Sequence, residues 1–262
     1  MRVSRGDKIV YRVARSRKEL EEAFSLVYRE YTCRGYTPKH YKSKLRLSLY
    51  NALPGTTTFI GLIGKRVVST VTLVPDSELG IPMDKLYKKE VDKIRKKKRR
   101  VAEVSQLAVD GKIFPKGWFS MFNFSKLIFI FRLFKLVLDY SVDVLKLDNL
   151  CIAVNPRHQY LYKFLGFIEI GKLKYYGTLN RAPAIAKTID LNTAEERSKS
   201  RRGLYKIFFS KKTPASMFAK KFKLKDQDID YFFSKKSDIL AKASSFHRSV
   251  IESCYPALKK SK

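Results

Sequence analysis

A chain of 262 residues with 45% hydrophobic and 30% charged side chains is long enough for one large domain, or one domain with an extension, around a real core. Its formal net charge of +31 draws anions (nucleic acid, acidic headgroups or an acidic protein), although the basic residues are spread along the whole chain. The greasiest run, residues 127–138, is broken by Arg132 and Lys135, which excludes a membrane span there. Cys33, Cys151 and Cys254 lie far apart, without the spacing of a disulfide framework or a zinc site, so a reducing cytoplasm is the expected setting and no metal is expected. The first residues carry no apolar core of signal-peptide length.

Residues 8–14 alternate weakly and predict a first strand. Ser16-x-x-Glu19 has the form of a capping box and opens a helix whose apolar stripe is Leu20, Phe24, Val27 and Tyr31. Residues 36–48 are a polar, aromatic connector without a period, and Ala52-Leu53-Pro54-Gly55 is a turn signal. Two β-rich runs, 58–63 and 67–74, joined by Gly64-Lys65, predict an antiparallel hairpin. A loop over 77–82 leads to a helix over 83–95, which empties into the basic run 93–100. That run reads as a solvated helix end placed well on the helix dipole, rather than as a nucleic-acid tract.

Residues 101–109 predict a central strand, interrupted on one face by Glu103 and Ser105. A carboxylate in a buried strand is costly unless paired, hydrated or used. Glu103 is therefore a candidate general base, with a structural ion pair to a lysine as the alternative. A loop over 111–117 is followed by a long helix over 119–141. Its wet stripe is Arg132, Lys135, Asp139 and Asp143, and its other faces are Phe, Leu, Ile and Val.

The most informative stretch is 151–167. A short apolar strand stops at Asn155, an N-cap residue with Pro156 at the first helical position, and Gly166 ends the following helix as a left-handed cap. In open α/β sheets ligands sit in the crevice beyond such strand ends. Two further strands, 168–176 and 184–191, form a hairpin-like pair. After Leu191 the polar run TAEERSKSRRG breaks the rhythm and sets a boundary: a core domain over 1–191, and a basic, aromatic-rich helical extension over 192–262 packed on it.

Asn155, Tyr162 and Leu165-Gly166-Phe167 resemble the last core motif of the GNAT superfamily of N-acyltransferases; an ordinary αβ connection with a surface tyrosine is the alternative. The element order is also that superfamily's. Leu26–Tyr36, Leu53–Phe59, Val74–Asp84, Ala102–Asp110 and Ala153–Phe167, in that order, resemble the bacterial N-acyl amino acid synthases, relatives of the acyl-homoserine lactone synthases. The likeness is good over residues 16–191 and loose beyond. It implies an α/β (α+β) GNAT-like fold, a mixed central sheet flanked by helices, with 1–191 as the N-acyltransferase catalytic domain and a C-terminal helical extension.

The resemblance also implies roles. Glu103, directly or through a water, takes the acceptor's proton; backbone N–H groups around Ser105, Gln106 and Leu107 hold the oxyanion; Asn155 holds the donor's arm; Tyr162 protonates the leaving thiolate. Arg29 and Arg34 are candidates for the acceptor carboxylate. Phe24, Val27, Tyr31 and Phe131 are candidates for the acyl pocket, while His158 reads as a helix-surface residue.

Two departures bear on the donor. Acetyl-CoA users carry a glycine-rich pyrophosphate loop where this chain reads DGKIFPKGWFSMF. A missing cradle and a basic surface favour the single phosphate of acyl carrier protein, itself acidic, over CoA. Homoserine lactone synthases have an arginine where this chain has Gln106, so adenosylmethionine recognition is not carried over. The expected reaction moves a long-chain fatty acyl group from the phosphopantetheine thioester of acyl carrier protein to the α-amino group of an amino acid, with no bound cofactor. Acetyl-CoA-dependent acetylation of a protein or small amine is the alternative. A degenerate fold binding nucleic acid or a membrane surface is another, against which Glu103, Asn155 and Tyr162 together argue. The expected partners are the carrier protein and the acceptor, with peripheral contact to an anionic membrane, as at the inner face of the cell membrane, but not nucleic acid.

Overall fold

The computed structural model describes residues 8–36, 43–113, 124–177 and 181–256. Seven strands form one sheet: β1 (Ile9–Val13), β2 (Thr57–Ile63), β3 (Arg66–Pro75), β4 (Val101–Val109), β5 (Asn149–Val154), β6 (Ile168–Tyr175) and β7 (Pro183–Asp190), in the order β1-β2-β3-β4-β5-β7-β6. Every neighbouring pair is antiparallel except β4 and β5. This is the mixed sheet with flanking helices that the sequence predicts.

Alternation along the strands divides the core between two faces. Phe59, Leu73, Ala102, Leu150 and Ile189 face α3 (Phe124–Asp139), α4 (Gln159–Phe164), α5 (Leu191–Lys199) and α6 (Arg202–Phe208). Ile60 and Val74 face α1 (Arg17–Cys33), and Val101, Cys151 and Ala186 face α2 (Asp84–Arg95). The tail beyond residue 221 also covers the α1 face: Phe232 and Phe233 are fully buried there, and Phe232 meets Phe24 edge to face at 5.6 Å. Burial of each such ring contributes roughly 2 kcal/mol.

Local chemistry differs from the sequence reading in four places. Ser16 caps α1 through the Glu19 N–H at 3.2 Å, but the Glu19 carboxylate turns to Arg12 (2.8 Å) and the Arg15 N–H (2.7 Å), so the reciprocal half of the box is absent. The wet stripe on α3 is covered in its middle: Asp139 is buried, paired with Lys135 and capped by the Thr213 N–H at 2.8 Å, because the C-terminal segment folds over it, whereas Arg132 stays exposed. That helix runs past residue 141 through a π turn, Tyr140–Val144, whereas its start at 119–123 lies outside the described residues. The polar run after β7 is helix α5, capped by Asp190 and anchored by Leu191, Ala194 and Ser198 on the buried side. Its polar residues are the outer face of an amphipathic helix.

Candidate active site

The β4–β5 ladder has three rungs only, Val101 with Asn149, Ala102 with Leu150 and Glu103 with Cys151. Beyond Glu103 the strands part: β4 runs on to Val109 beside β3, and β5 to Val154 beside β7. β4 is bent at this point. Gln106 has φ +53°, and the β3 register skips from Thr72–Ser105 to Thr70–Ala108, so Gln106 and Leu107 together oppose one residue. Such a bulge increases local twist and turns a strand from its neighbour.

The bulge is locked by side chains. Asn51 Nδ2 donates to Gln106 Oε1 at 2.9 Å, and Gln106 Nε2 returns a bond to Asn51 Oδ1 at 3.1 Å. Thr72 Oγ1 donates to the same Gln106 oxygen at 3.0 Å, and Gln106 Nε2 donates to the Arg46 carbonyl at 3.2 Å. Gln106 thus acts through its side chain as a brace; Ser105 and Leu107 flank it, half-buried.

Glu103 lies on the α1/α2 face at the last rung, 4% exposed. Burial pushes its pKa up to about 8, against the lowering effect of the Met83 N–H, which donates to its Oε2 at 2.5 Å; the nearby Asp84 charge adds to the rise. Among the described residues no lysine or arginine pairs with it. The loop that presents Met83 is stapled by Arg95, which holds Asp76 and Asp84 at 2.7 Å each and Asp92 at 2.8 Å.

Tyr162 lies on α4, on the opposite face. Phe134 and Phe167 grip its ring edge-on at 5.9 and 6.0 Å. Burial, then Tyr31 and Tyr36, raise its pKa, so its hydroxyl keeps its proton at neutral pH. Tyr31, near the end of α1, stacks edge to face on Tyr36 at 5.9 Å and lies within electrostatic reach of both Glu103 and Tyr162. Tyr50 and Tyr176 also feel Glu103. The buried carboxyl of Glu103 thus lies on one face of the sheet, at the last β4–β5 rung, and the protonated phenol of Tyr162 on the other face.

The remaining predicted residues are spread more widely. Asn155 is the N-cap expected, its Oδ1 accepting the Arg157 N–H at 3.0 Å, and Gly166 is left-handed at φ +92°. Arg29 pairs with buried Asp110 at 3.0 Å and Arg34 with Glu30 at 3.0 Å. Phe24 and Val27 belong to the α1 face, whereas Phe131 packs on Phe164 (5.7 Å) and Phe208 (6.0 Å) on the other, so they do not line one tunnel. Phe24 instead lines a cavity of about 630 Å³ between α1 and the 221–226 segment. A second cavity, about 170 Å³, lies under α3 between Phe134, Phe167, Leu150, Ile189 and Ala194, with Arg197 and Arg201 among its lining. His158 has its pKa lowered by partial burial of its ring and then by the charges of Arg34, Lys126 and Arg157. Asn51, Arg46, Tyr50 and Tyr176 are not singled out by sequence, since they lie in an aperiodic loop, a short turn and a strand end with no motif of their own.

A mixed seven-stranded sheet that splays beside its one parallel junction, with helices on both faces, is the GNAT-like acyltransferase architecture. The family model described as N-acyl amino acid synthase FeeM matches residues 22–190, and the chain belongs to that family. The solved FeeM, an N-acyl amino acid synthase from uncultured soil microbes, is 29% identical, with 77% of this chain and 100% of FeeM covered at a TM-score of 0.63. Two acyl-homoserine lactone synthases share the fold at 16% identity: LasI (72% of this chain, 95% of LasI, TM-score 0.50) and the CoA-dependent BjaI (81% and 97%, TM-score 0.51). Among curated proteins no sequence matches.

Proposed function

We propose that this N-acyltransferase moves a long-chain fatty acyl group from the phosphopantetheine thioester of acyl carrier protein to the α-amino group of an amino acid. The observation that carries the reading is the β4–β5 opening with Glu103 on one side and Tyr162 on the other. The acceptor's ammonium gives a proton to Glu103, and the free amine attacks the thioester carbonyl, forming the C–N bond. Backbone N–H groups of the bent strand near Ser105–Leu107 hold the developing oxyanion. Collapse breaks the C–S bond and the thiolate takes the Tyr162 proton; the new amide nitrogen gives its second proton to the phenolate, and Glu103 releases its proton to solvent. The products are an amide, a free thiol and one released proton.

Phe134 and Phe167, which hold Tyr162, also wall the cavity under α3, so an acyl tail entering past the phenol has an apolar place to go. Arg34, Lys126 and Arg157 act together on His158 and keep it neutral, and the positive potential they make there suits the arm's phosphate and an acidic carrier. The segment that replaces a glycine-rich loop lies largely outside the described residues, and one relative of this fold uses CoA, so both donors belong in the test.

Mass spectrometry of lipid extracts from bacteria expressing the chain, beside a Glu103→Gln control, is expected to show new long-chain N-acyl amino acids that vanish in the control. Purified protein is then offered long-chain acyl carrier protein, long-chain acyl-CoA and acetyl-CoA. Preference for the carrier thioester, weakened by salt, supports the reading; turnover of acetyl-CoA alone overturns it.

A further inference from the structure

The loop between α1 and Leu49–Ala52 carries Arg46, whose backbone is pinned on both sides. Its N–H donates to the Phe24 carbonyl of α1 at 3.0 Å, and its own carbonyl accepts the Gln106 Nε2 at 3.2 Å. These bonds hold it against the bend of β4, three residues along from Glu103. Its side chain is underused. One terminal nitrogen donates to the Leu47 carbonyl at 3.3 Å, while Nε is buried without a hydrogen-bond partner. Among the described residues no carboxylate pairs with it, in contrast to Arg29, Arg34 and Arg95.

A buried guanidinium N–H without an acceptor is costly, and a cation in that state at the bend of β4 is arranged for an anion. Gln106, whose amide holds the Arg46 carbonyl, stands three residues along β4 from Glu103, and Tyr31 lies within electrostatic reach of both charges. An α-amino acid carries its carboxylate and amine on one carbon, and thus matches a cation and a base set near one bend of a strand.

We propose that Arg46 binds the α-carboxylate of the acceptor and thereby aims its amine at Glu103. This rests on the acyl-transfer reading above. It makes the acceptor a free α-amino acid rather than a peptide-linked residue or a simple amine, and it leaves Arg29 and Arg34 to Asp110 and Glu30.

The test compares an amino acid with its carboxamide as acceptor, using purified full-length protein and a fixed acyl thioester. The wild type is expected to favour the free acid by about 10- to 100-fold in kcat/KM. Arg46→Gln abolishes that preference through the acceptor's KM, with the carboxamide rate and the donor's KM within twofold of wild type, and Arg46→Lys restores part of it. Undiminished preference in Arg46→Gln, equal losses for acid and carboxamide, or a raised donor KM overturns the proposal while the transfer reading stands. Wild-type protein that acylates no amino acid overturns both. Should Arg46→Gln not fold, Arg46→Lys gives the same comparison, with a preference cut several-fold expected and an unchanged one overturning the assignment.

Discussion

Glu103 and Met83 meet at the last rung of the β4–β5 ladder, where the Met83 N–H donates to the Glu103 carboxyl at 2.5 Å. One backbone bond is a small share of the solvation that this carboxyl gives up on burial, which is why its pKa rises to about 8 despite the bond. A carboxyl tuned to that range suits proton transfer near neutral pH better than an ordinary one.

The kinetic consequence is a pH profile. In the wild type kcat/KM should climb to a plateau above about pH 8, as Glu103 ionises. Glu103→Gln should lose roughly 10²- to 10⁴-fold in rate. The acceptor amine's own titration persists in the variant, so the difference between the two profiles isolates Glu103.

Stability should carry the same signature. Because the folded-state pKa of Glu103 lies above its ordinary value of 4.5, the native state binds more protons in the interval. Its contribution is complete below about pH 4.5 and lost as pH rises through about 8. Glu103→Gln removes this dependence, so denaturant titrations from pH 5 to pH 9 should show the variant gaining on the wild type by a few kcal/mol. A constant difference across that range would contradict the assignment.

Tyr162→Phe keeps the ring between Phe134 and Phe167 and deletes the proton donor. A loss of about 10- to 100-fold in kcat, with little change in KM, is expected for the natural alkyl thioester. With an aryl thioester, whose thiolate leaves without help, the loss should shrink towards unity. Equal losses for both donors would assign the hydroxyl to binding or packing.

Gln106 tests the bent strand. Gln106→Ala leaves the Nδ2 of buried Asn51 and the Thr72 hydroxyl without their shared acceptor and keeps a side chain at φ +53°, so a loss of about 2–4 kcal/mol is expected. Gln106→Gly loses the same bonds but relieves the backbone, and should be more stable than the alanine variant by about 1 kcal/mol. Thermal or denaturant unfolding of the two variants decides the order.

Ala194 lines the cavity under α3 from helix α5, beyond the stretch that the family model covers. Ala194→Phe fills that space and should move donor preference to shorter chains by several carbons, read from product masses. An unchanged product distribution would place the acyl tail elsewhere, the larger cavity beside Phe24 being the next to test.

Much of this was legible from the residues because it depends on neighbours in sequence. The seven strands follow from apolar periodicity and turn glycines, and Asn155 and Gly166 bracket a helix through local capping and a left-handed backbone. A lone carboxylate in an apolar strand is conspicuous for energetic reasons, which singles out Glu103 before any fold is known. The tertiary structure alone decided three things. Strands β4 and β5 part after one short ladder, an event created by a bulge at Gln106 that is held from a distant loop by Asn51. The acyl-pocket candidates on α1 and α3 fall on opposite faces, because strand alternation sends each helix's partners to different sides. Arg46 stands at the bend because two backbone bonds pin an aperiodic loop there. Periodicity reports which side of an element is buried, whereas the meeting of loops at a strand's bend is set by packing between residues far apart in the chain.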